Sequence, residues 1–558
     1  MTQRVLIVGW DGGTWRVFRP LAEKGVMPRL KALMDRGSFG VMTSTIPPLT
    51  PPAWTTLMTG VNPGTHGIFG FMEDTLPAES RRDVLESAAP VSAMSLKHRT
   101  LVDILGDAGR KSMVVNVPMS YPPRPLNGIM ITGMLTPSDA VEYTYPPELT
   151  NELTDYAIDV VHSHTIRERG ELEQGIADVP LVRICTDVTR RRAENIVRIG
   201  KTHAWDFAIV VFTGTDRVSH RLWTEIVELV GKDAPTTEME QLLLTFYREL
   251  DRALGRLVDA FPDATVMIMS DHGFGPRAEH TVIVDACLEE KGFLVRKPGK
   301  GVGHGLRRVL RQSVRKTIET LLPRKLALKL FRRAVSRQSR MLALIDVEKS
   351  VARFENFGSN AFGGVRLLDP PGTQRSEESR RALIAEIATA LGDMRDPETD
   401  EPVVVDVHRR EELFPGPVRV FLPDLVINFR EGYTGRTDPF TTELIGPPPV
   451  DTSVGLHRIE GMFLLAGKPF AALGEVGPLH LADVAPTVLY LCGLAVPTRM
   501  EGAPPTALLT DAYLQAHPVE RCDDGEDGVR PDDERTAAYS EEQVQQVKDH
   551  LRHLGYMD

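Results

Sequence analysis

RVLIVGWDGG, residues 4–13, is the stretch that decides the fold. From Val5 to Trp10 it is apolar, and it then runs without a break into Asp11-Gly12-Gly13. An unbroken apolar run of this length reads as a parallel strand buried on both faces. The polar residue that follows then stands at the strand's C-terminal end, where open α/β sheets bind their ligands. The pattern recurs along the chain. FAIVVF (207–212) leads into Thr213-Gly-Thr-Asp216, and TVMIM (265–269) leads into Ser270-Asp271-His272-Gly273. Helical stretches around 175–200 and 236–260 precede these two runs. LVDILGDAGRKSMVVNV (101–117) repeats the helix-then-strand unit. Leu425–Phe429 and Met462–Ala466 are further strands, and Leu481–Gly493 is a late helix with Pro486 inside it. This alternation predicts an α/β protein with a doubly wound, mostly parallel sheet.

Seven residues in these contexts are candidates for one site: Asp11, Thr50, Asp216, His220, Asp271, His272 and His457. Each has an ordinary reading on its own. Asp11 could cap a helix, a DxxxH pair such as Asp216/His220 is common, and His457 could be a loop histidine. Their shared position at strand ends and Gly-rich turns favours a common role. Asp216 and His220, at i and i+4 on a helical turn, point the same way, as two ligands of one metal must. The set offers three carboxylates, three imidazoles and a hydroxyl. That mixture suits Zn²⁺ or Mn²⁺ and suits Ca²⁺ poorly. Two such ions can clamp the attacking and leaving oxygens of an in-line displacement.

Thr50 lies in TIPPLTPPAWTT, residues 45–56. The prolines after it suit a helix start, so Thr50 reads as an N-cap. The alternative is a nucleophile activated by a metal, at a helix terminus whose N–H groups favour phosphate. Thr55 and Thr56 are alternatives one or two turns in.

Residues from about 5 to 510 must share one core if these groups meet. The expected layout is a discontinuous catalytic domain over 1–510 with a cap inserted at about 277–415, then an acidic linker and helical tail over 511–558. Within the insert, residues 291–340 carry 16 Lys and Arg against one acid, Glu319. Leu306, Val309, Leu310, Val314, Ile318, Leu321 and Leu322 recur there at helical spacing, which predicts a basic amphipathic helix or helix pair. It is either a solvated face packed on an acidic body or a surface for anionic lipid or a polyanionic substrate. The overall charge of −11 does not predict a nucleic-acid partner. Four scattered cysteines form no CxxC pair, and no run of about 18 apolar residues occurs. The expectation is a cytoplasmic, soluble protein. In the tail, Ser540 opens a short helix and Gly555 closes it.

The pieces VGWDGG, TPPAWTTLMTGVNPGTHGI, GTDRVSH, SDHGFG and GLHRIEGMFLLAG resemble the type I phosphodiesterase/nucleotide pyrophosphatase branch of the alkaline phosphatase superfamily. VVNVPMSYPPRPLNGIMITGMLTP, NAFGGVRLLD, MRDPETDEPVV and LADVAPTVLYLCGL extend the resemblance over nearly the whole chain. It implies an alkaline-phosphatase-like fold and two Zn²⁺ ions, or Mn²⁺ in their place. Asp216, His220 and His457 would hold one ion, and Asp11, Asp271 and His272 the other, with Thr50 as nucleophile. The implied activity is hydrolysis of phosphodiester or pyrophosphate bonds in a phosphorylated small molecule or lipid-linked substrate. One departure matters. The family's nucleotide pyrophosphatases usually carry an Asn 21 residues after the nucleophile, on a phosphate oxygen, and that position here is Phe71. Asn116, in VVNVP, is the candidate to replace it. The C/S-x-P-x-R setting of sulfatases is absent around Thr50. Two rival readings remain: a phosphomonoesterase or phosphomutase on the same scaffold, and a non-catalytic protein binding a membrane surface through 291–340. A mutase would need cations on its substrate's phosphate. Pro47–Gly64 has none, though Arg277 or Lys297 could fold in.

Overall fold

The computed structural model describes residues 3–73, 88–162, 176–297, 345–358, 361–369, 375–414, 422–438, 441–446, 453–523, 528, 530 and 537–554. The chain forms two compact units, one of residues 1–276 with 452–558, the other of most of 277–451. The second unit takes in residues 277–415 together with 422–451, and the tail clusters with the first unit. Most of the basic segment, 298–340, lies outside the described residues, as does Gly555.

The first unit is built on a ten-stranded sheet. Its strands are β1 (Arg4–Trp10), β2 (Ser38–Thr43), β3 (Ser112–Val115), β4 (Gly128–Ile131), β5 (Thr144–Tyr145), β6 (Phe207–Phe212) and β7 (Ala264–Met269), followed late in the chain by β10 (Glu460–Ala466), β11 (Gly474–Glu475) and β12 (Leu479–His480). A separate two-stranded ladder pairs β8 (Gly273–Pro276) with β9 (Gly455–Arg458). The order across the sheet is β11-β2-β10-β7-β1-β6-β3-β4-β5, with β12 also on β2. The five central strands, β7 through β4, are parallel. β10 is antiparallel to both its neighbours, and β5 to β4.

Alternation along β1 explains the two layers of helix. Leu6, Val8 and Trp10 enter a core with helices α2 (Asp178–Thr202), α3 (Gly214–Gly231) and α4 (Glu238–Ala260). Val5 and Ile7 enter the opposite core with α1 (Thr50–Thr59) and α5 (Val484–Leu491). A strand buried on both faces has no polar position to spare, which is why it reads as a continuous apolar run.

The edges of this sheet set the site. β2, β7, β1 and β6 all point the same way, so residues 44–50, 270–272, 11–13 and 213–216 leave the sheet along one edge. Antiparallel β10 begins at that edge, three residues after His457.

The tail is docked. In α6 (Glu541–Leu554), Val547 and Leu551 are buried with Tyr539 in a cluster containing Ile68, Phe71, Met72, Met119, Tyr121, Met134 and Leu135. Ser540 and Gln543 exchange hydrogen bonds at the helix start, a capping box one residue beyond Glu542.

The second unit has its own core. Strands 352–356, 362–367, 425–429 and 404–409 form an antiparallel sheet in that order. Ile384, Ile387 and Leu391 of helix Glu377–Gly392 pack in that core with Leu425 and Ile427. Leu425–Phe429 is thus a strand, but of this smaller sheet.

Candidate metal centre

Asp11 follows the last residue of β1. Gly12 then takes φ +68, and a Cβ there would meet Phe274 at 2.6 Å, so only glycine turns the chain this tightly. The turn aims the Gly12 N–H at Asp271 Oδ1, 3.1 Å away. Asp271 and His272 follow β7, next to β1 in the sheet. Asp216 and His220 share the first turns of α3, and the His220 Nε2 lies 3.4 Å from Asp216 Oδ1. His457 arrives on β9, where it pairs with Phe274.

The donor atoms converge. Those of Asp11, Asp271 and His272 lie within 4.8 Å of one another, and so do those of Asp216, His272 and His457. His457 Nε2 is 3.2 Å from Asp216 Oδ1 and 2.9 Å from His220 Nε2. His272 Nε2 is 3.4 Å from Asp271 Oδ2, 3.7 Å from Asp11 Oδ1 and 4.0 Å from Asp216 Oδ1. His272 therefore stands between the two carboxylate groups. All six side chains are buried.

Local hydrogen bonds turn the rings. His457 Nδ1 is 2.9 Å from the Pro48 carbonyl oxygen, and His272 Nδ1 is 3.2 Å from that of Gly273. A ring that donates from Nδ1 presents an unprotonated Nε2, the form that binds a metal. Burial pushes the His272 imidazole well below its usual range, with the neighbouring His457 ring adding to the effect. Burial also lowers His457.

The carboxylates meet opposite fates. Burial pushes Asp11 well above the usual range, and the charges of Asp271 and Asp216 push it further. Asp271 is also pushed well up, by burial and by Asp216, against the opposing hydrogen bond from Gly12. At Asp216 burial acts upward too, but the His220 and His457 imidazoles outweigh it and hold the group well below the usual range. Asp11 Oδ1 and Asp271 Oδ2 are buried and accept no hydrogen bond among the described residues. Orphaned buried carboxylate oxygens are costly without a compensating charge. A divalent cation held among the three carboxylates and three Nε2 atoms would supply that charge, and the donor set fits Zn²⁺ or Mn²⁺.

Thr50 is fully buried, with Oγ1 3.5 Å from His272 Nε2. It is the first residue of α1, not its cap. Leu49 holds the cap position and makes no side-chain cap bond. Because Pro51 and Pro52 follow, two of the first three N–H groups of the helix are missing, so the terminus offers phosphate far fewer donors than its sequence suggests. Thr55 bonds to Met119 Sδ at 3.5 Å and Thr56 to His66 Nε2 at 3.0 Å.

Phe71 is buried in the apolar cluster beneath α6, which Leu49 also touches. Asn116 does not serve as expected. Its Nδ2 donates to the carbonyls of Ile158 at 2.8 Å and Thr132 at 3.3 Å, and its Oδ1 accepts from the Tyr156 hydroxyl. Both its N–H donors are spent on the main chain, so none is left for a phosphate. Three residues outside the sequence candidates also belong to the centre. Trp54 Nε1 donates to Asp11 Oδ2 at 3.3 Å, and Arg217 and Asp159 form a buried ion pair of 2.6 Å beside Asp216. Arg217 sits inside the DxxxH motif and could have been noticed. Asp159 carries no sequence signal.

A family profile described as type I phosphodiesterase / nucleotide pyrophosphatase matches residues 5–443. That span takes in six of the seven candidate residues and stops before His457. No curated protein matches the sequence. Among solved structures, phosphonoacetate hydrolase from Sinorhizobium meliloti 1021, in complex with phosphonoformate, is similar with a TM-score of 0.51 at 17% identity, over 88% of this chain and 95% of its own. At that identity the likeness is one of fold. Human ectonucleotide pyrophosphatase/phosphodiesterase 5 gives a TM-score of 0.45 at 13% identity, over 91% of this chain and 100% of its own.

Proposed function

The chain belongs to the type I phosphodiesterase/nucleotide pyrophosphatase family, and from that premise we propose that it hydrolyses phosphodiester or pyrophosphate bonds through Thr50 and two divalent metal ions. That it is a metal-dependent hydrolase acting on phosphoester bonds follows from the family. The observation carrying the finer reading is the convergence of three buried carboxylates and the Nε2 atoms of His272 and His457 beside the Thr50 hydroxyl, with His220 Nε2 against His457 and Asp216.

In this reading Asp216, His220 and His457 hold one ion, and Asp11, Asp271 and His272 the other, with Zn²⁺ preferred over Mn²⁺. Bound there, the pair supplies Lewis acidity and charge neutralisation to a displacement at phosphorus. Thr50 Oγ1 forms a bond to phosphorus as the bond to the leaving oxygen breaks. Its proton passes to solvent, and the leaving oxygen takes one from water. A water molecule then attacks the phosphorus on Thr50 and restores the hydroxyl. Trp54 steadies Asp11 and the Gly12 N–H steadies Asp271 during both displacements.

The substrate is read as a diester or pyrophosphate with an organic group on each side. The apolar cluster around Phe71 supports this, since it reaches Leu49, the neighbour of Thr50. Pro47–Gly64 contains no Lys or Arg to meet a monoester dianion. Work in the cytoplasm is proposed on the four unbonded cysteines. The basic segment is proposed to meet an anionic membrane or a lipid-linked substrate. Trapping the covalent intermediate tests the central claim. Rapid quenching with a labelled aryl phosphodiester should leave label on a peptide containing Thr50. Label on another residue, or none under conditions where burst kinetics are seen, refutes the assignment.

A further inference from the structure

Arg217 is 2% exposed, and it is held between two carboxylates that are just as buried. Its Nη2 donates to Asp159 Oδ2 at 2.6 Å, and its Nη1 to Asp216 Oδ2 at 3.2 Å. The other oxygen of Asp216, Oδ1, faces the three imidazoles: His457 at 3.2 Å, His220 at 3.4 Å and His272 at 4.0 Å. The two oxygens of Asp216 are thus divided, one to the guanidinium and one to the donor cluster.

Asp159 is itself fixed. Its Oδ1 accepts from the Val160 N–H at 2.7 Å and from Thr213 Oγ1 at 3.4 Å. The loop carrying it is clamped to the sheet by Arg192 of α2, which donates to the Ile158 carbonyl at 2.6 Å and to the Val211 carbonyl of β6 at 2.7 Å. Asn116 donates to the same Ile158 carbonyl. The amide that offers nothing to phosphate therefore has a place in this support.

We propose that Arg217 and Asp159 are positioning residues for the metal centre, Arg217 locking the Asp216 carboxylate so that Oδ1 faces the cation and Asp159 offsetting the charge of Arg217. The inference rests on the reading of Asp216 as a metal ligand. A bare guanidinium 3.2 Å from a ligand oxygen would compete with the cation for the carboxylate. The shorter bond to Asp159 draws that charge away and leaves Asp216 a full anion. Outer partners of this kind typically change metal affinity by about 10–100-fold.

The test uses the full chain stripped with chelator and titrated with Zn²⁺ against a chromophoric competitor, with Co²⁺ absorption bands as a second readout. Asp159→Asn keeps shape and removes the charge balance. It should weaken one of two equivalents at least about tenfold and shift the Co²⁺ bands. Adding Arg217→Gln to it should recover part of that loss, since no unbalanced cation then stands at Asp216. Should Asp159→Asn fail to fold, Arg217→Lys decides. Lysine keeps the charge but lacks the rigid fork that bridges two carboxylates, so the same tenfold loss is expected. A loss smaller than tenfold in the folded variant overturns the proposal. Asp216→Asn separates the two levels. If it keeps both equivalents at wild-type affinity, the metal reading itself fails. If it loses one while Asp159→Asn and Arg217→Lys do not, only the positioning role falls.

Discussion

Asp271→Asn should make the metal-free protein more stable and the metal-loaded protein less so. The Asp271 carboxylate has one anchored oxygen, Oδ1, which accepts from the Gly12 N–H. Its buried Oδ2 has no hydrogen-bond donor among the described residues and lies 3.4 Å from His272 Nε2. Asparagine is the same shape. Its oxygen can keep the Gly12 bond while its amide nitrogen donates to His272 Nε2. The change removes an unsatisfied buried anion and adds a hydrogen bond. Correcting one unsatisfied buried group is worth about 1–3 kcal/mol, more when the group is charged. At about 2.1 cal/mol/K of unfolding entropy per residue, that is roughly 1–4 °C in the midpoint for a unit as large as the first.

The pH dependence fixes the sign. The folded-state pKa of Asp271 lies well above its unfolded value. The wild type's full stability from this group is present below about pH 3.9 and is lost as pH rises from there. The advantage of Asp271→Asn in metal-free protein should therefore grow between pH 4 and pH 8. With metal the order reverses. A ligand at a thousandfold excess over its Kd adds about 4 kcal/mol, and the variant forfeits a charged donor for it. The assay is thermal unfolding of both proteins, with chelator and with saturating Zn²⁺, at several pH values. A metal-free variant that melts below the metal-free wild type at pH 7–8 would refute the account of Asp271 as a strained, metal-awaiting anion.

Thr50→Ala should abolish turnover and leave both metal equivalents in place. Loss of more than about 1 kcal/mol of stability is not expected, because Thr50 makes no cap bond, and retention of a tenth of wild-type activity would mean that water attacks directly. Catalytic efficiency on an aryl phosphodiester should exceed that on the matching monoester by at least tenfold, about 1.4 kcal/mol of transition-state preference, and a higher value for the monoester at one pH with one metal moves the protein to a phosphatase or mutase. Leu551→Ala, in the docked tail, should cost about 2–5 kcal/mol in thermal unfolding, since the side chain is fully buried against the Phe71 cluster; an unchanged midpoint would mean that α6 undocks freely. Binding to anionic vesicles through 291–340 should fall steeply with salt, because charges are screened beyond about 8 Å at physiological ionic strength, and equal binding to neutral vesicles would rule out an electrostatic role.

The parts of this molecule that were legible in its sequence share one property: their meaning is local. β1, β6 and β7 are apolar runs because both their faces are covered, and the acidic residues that end them follow directly. The i, i+4 spacing of Asp216 and His220 needs only one helical turn. What was not legible depends on partners far along the chain. The fate of Asn116 is decided by Ile158 and Tyr156, on a loop some 40 residues away. Leu425–Phe429 looks like any central strand, and only its pairing with 362–367 and 404–409 assigns it to the smaller sheet. Thr50 was misplaced by one position because Pro suits the first turn generally, and the cap fell to Leu49, a residue with no capping side chain. Asp159 is one acid among 76 Asp and Glu, with nothing nearby to distinguish it.

His457 is the hardest of the seven candidates to bring home, since 237 residues separate it from His220. The β8–β9 ladder does this, and its register cannot drift. Side chains alternate along a strand, so a slip of one residue would turn His457 away from the centre. The register pairs His457 with Phe274 and Arg458 with Gly273. Gly273 is the pin. A Cβ there would lie 1.9 Å from the Glu460 carbonyl oxygen and 3.3 Å from the Gly461 nitrogen, so the strand after His272 can approach the start of β10 only if this residue is glycine. The last residue of the Ser-Asp-His-Gly motif thus serves the ligand set without donating to a metal. It lets the main chain carrying His272 lie against the main chain that follows His457, and the two rings stack at 3.6 Å as a consequence.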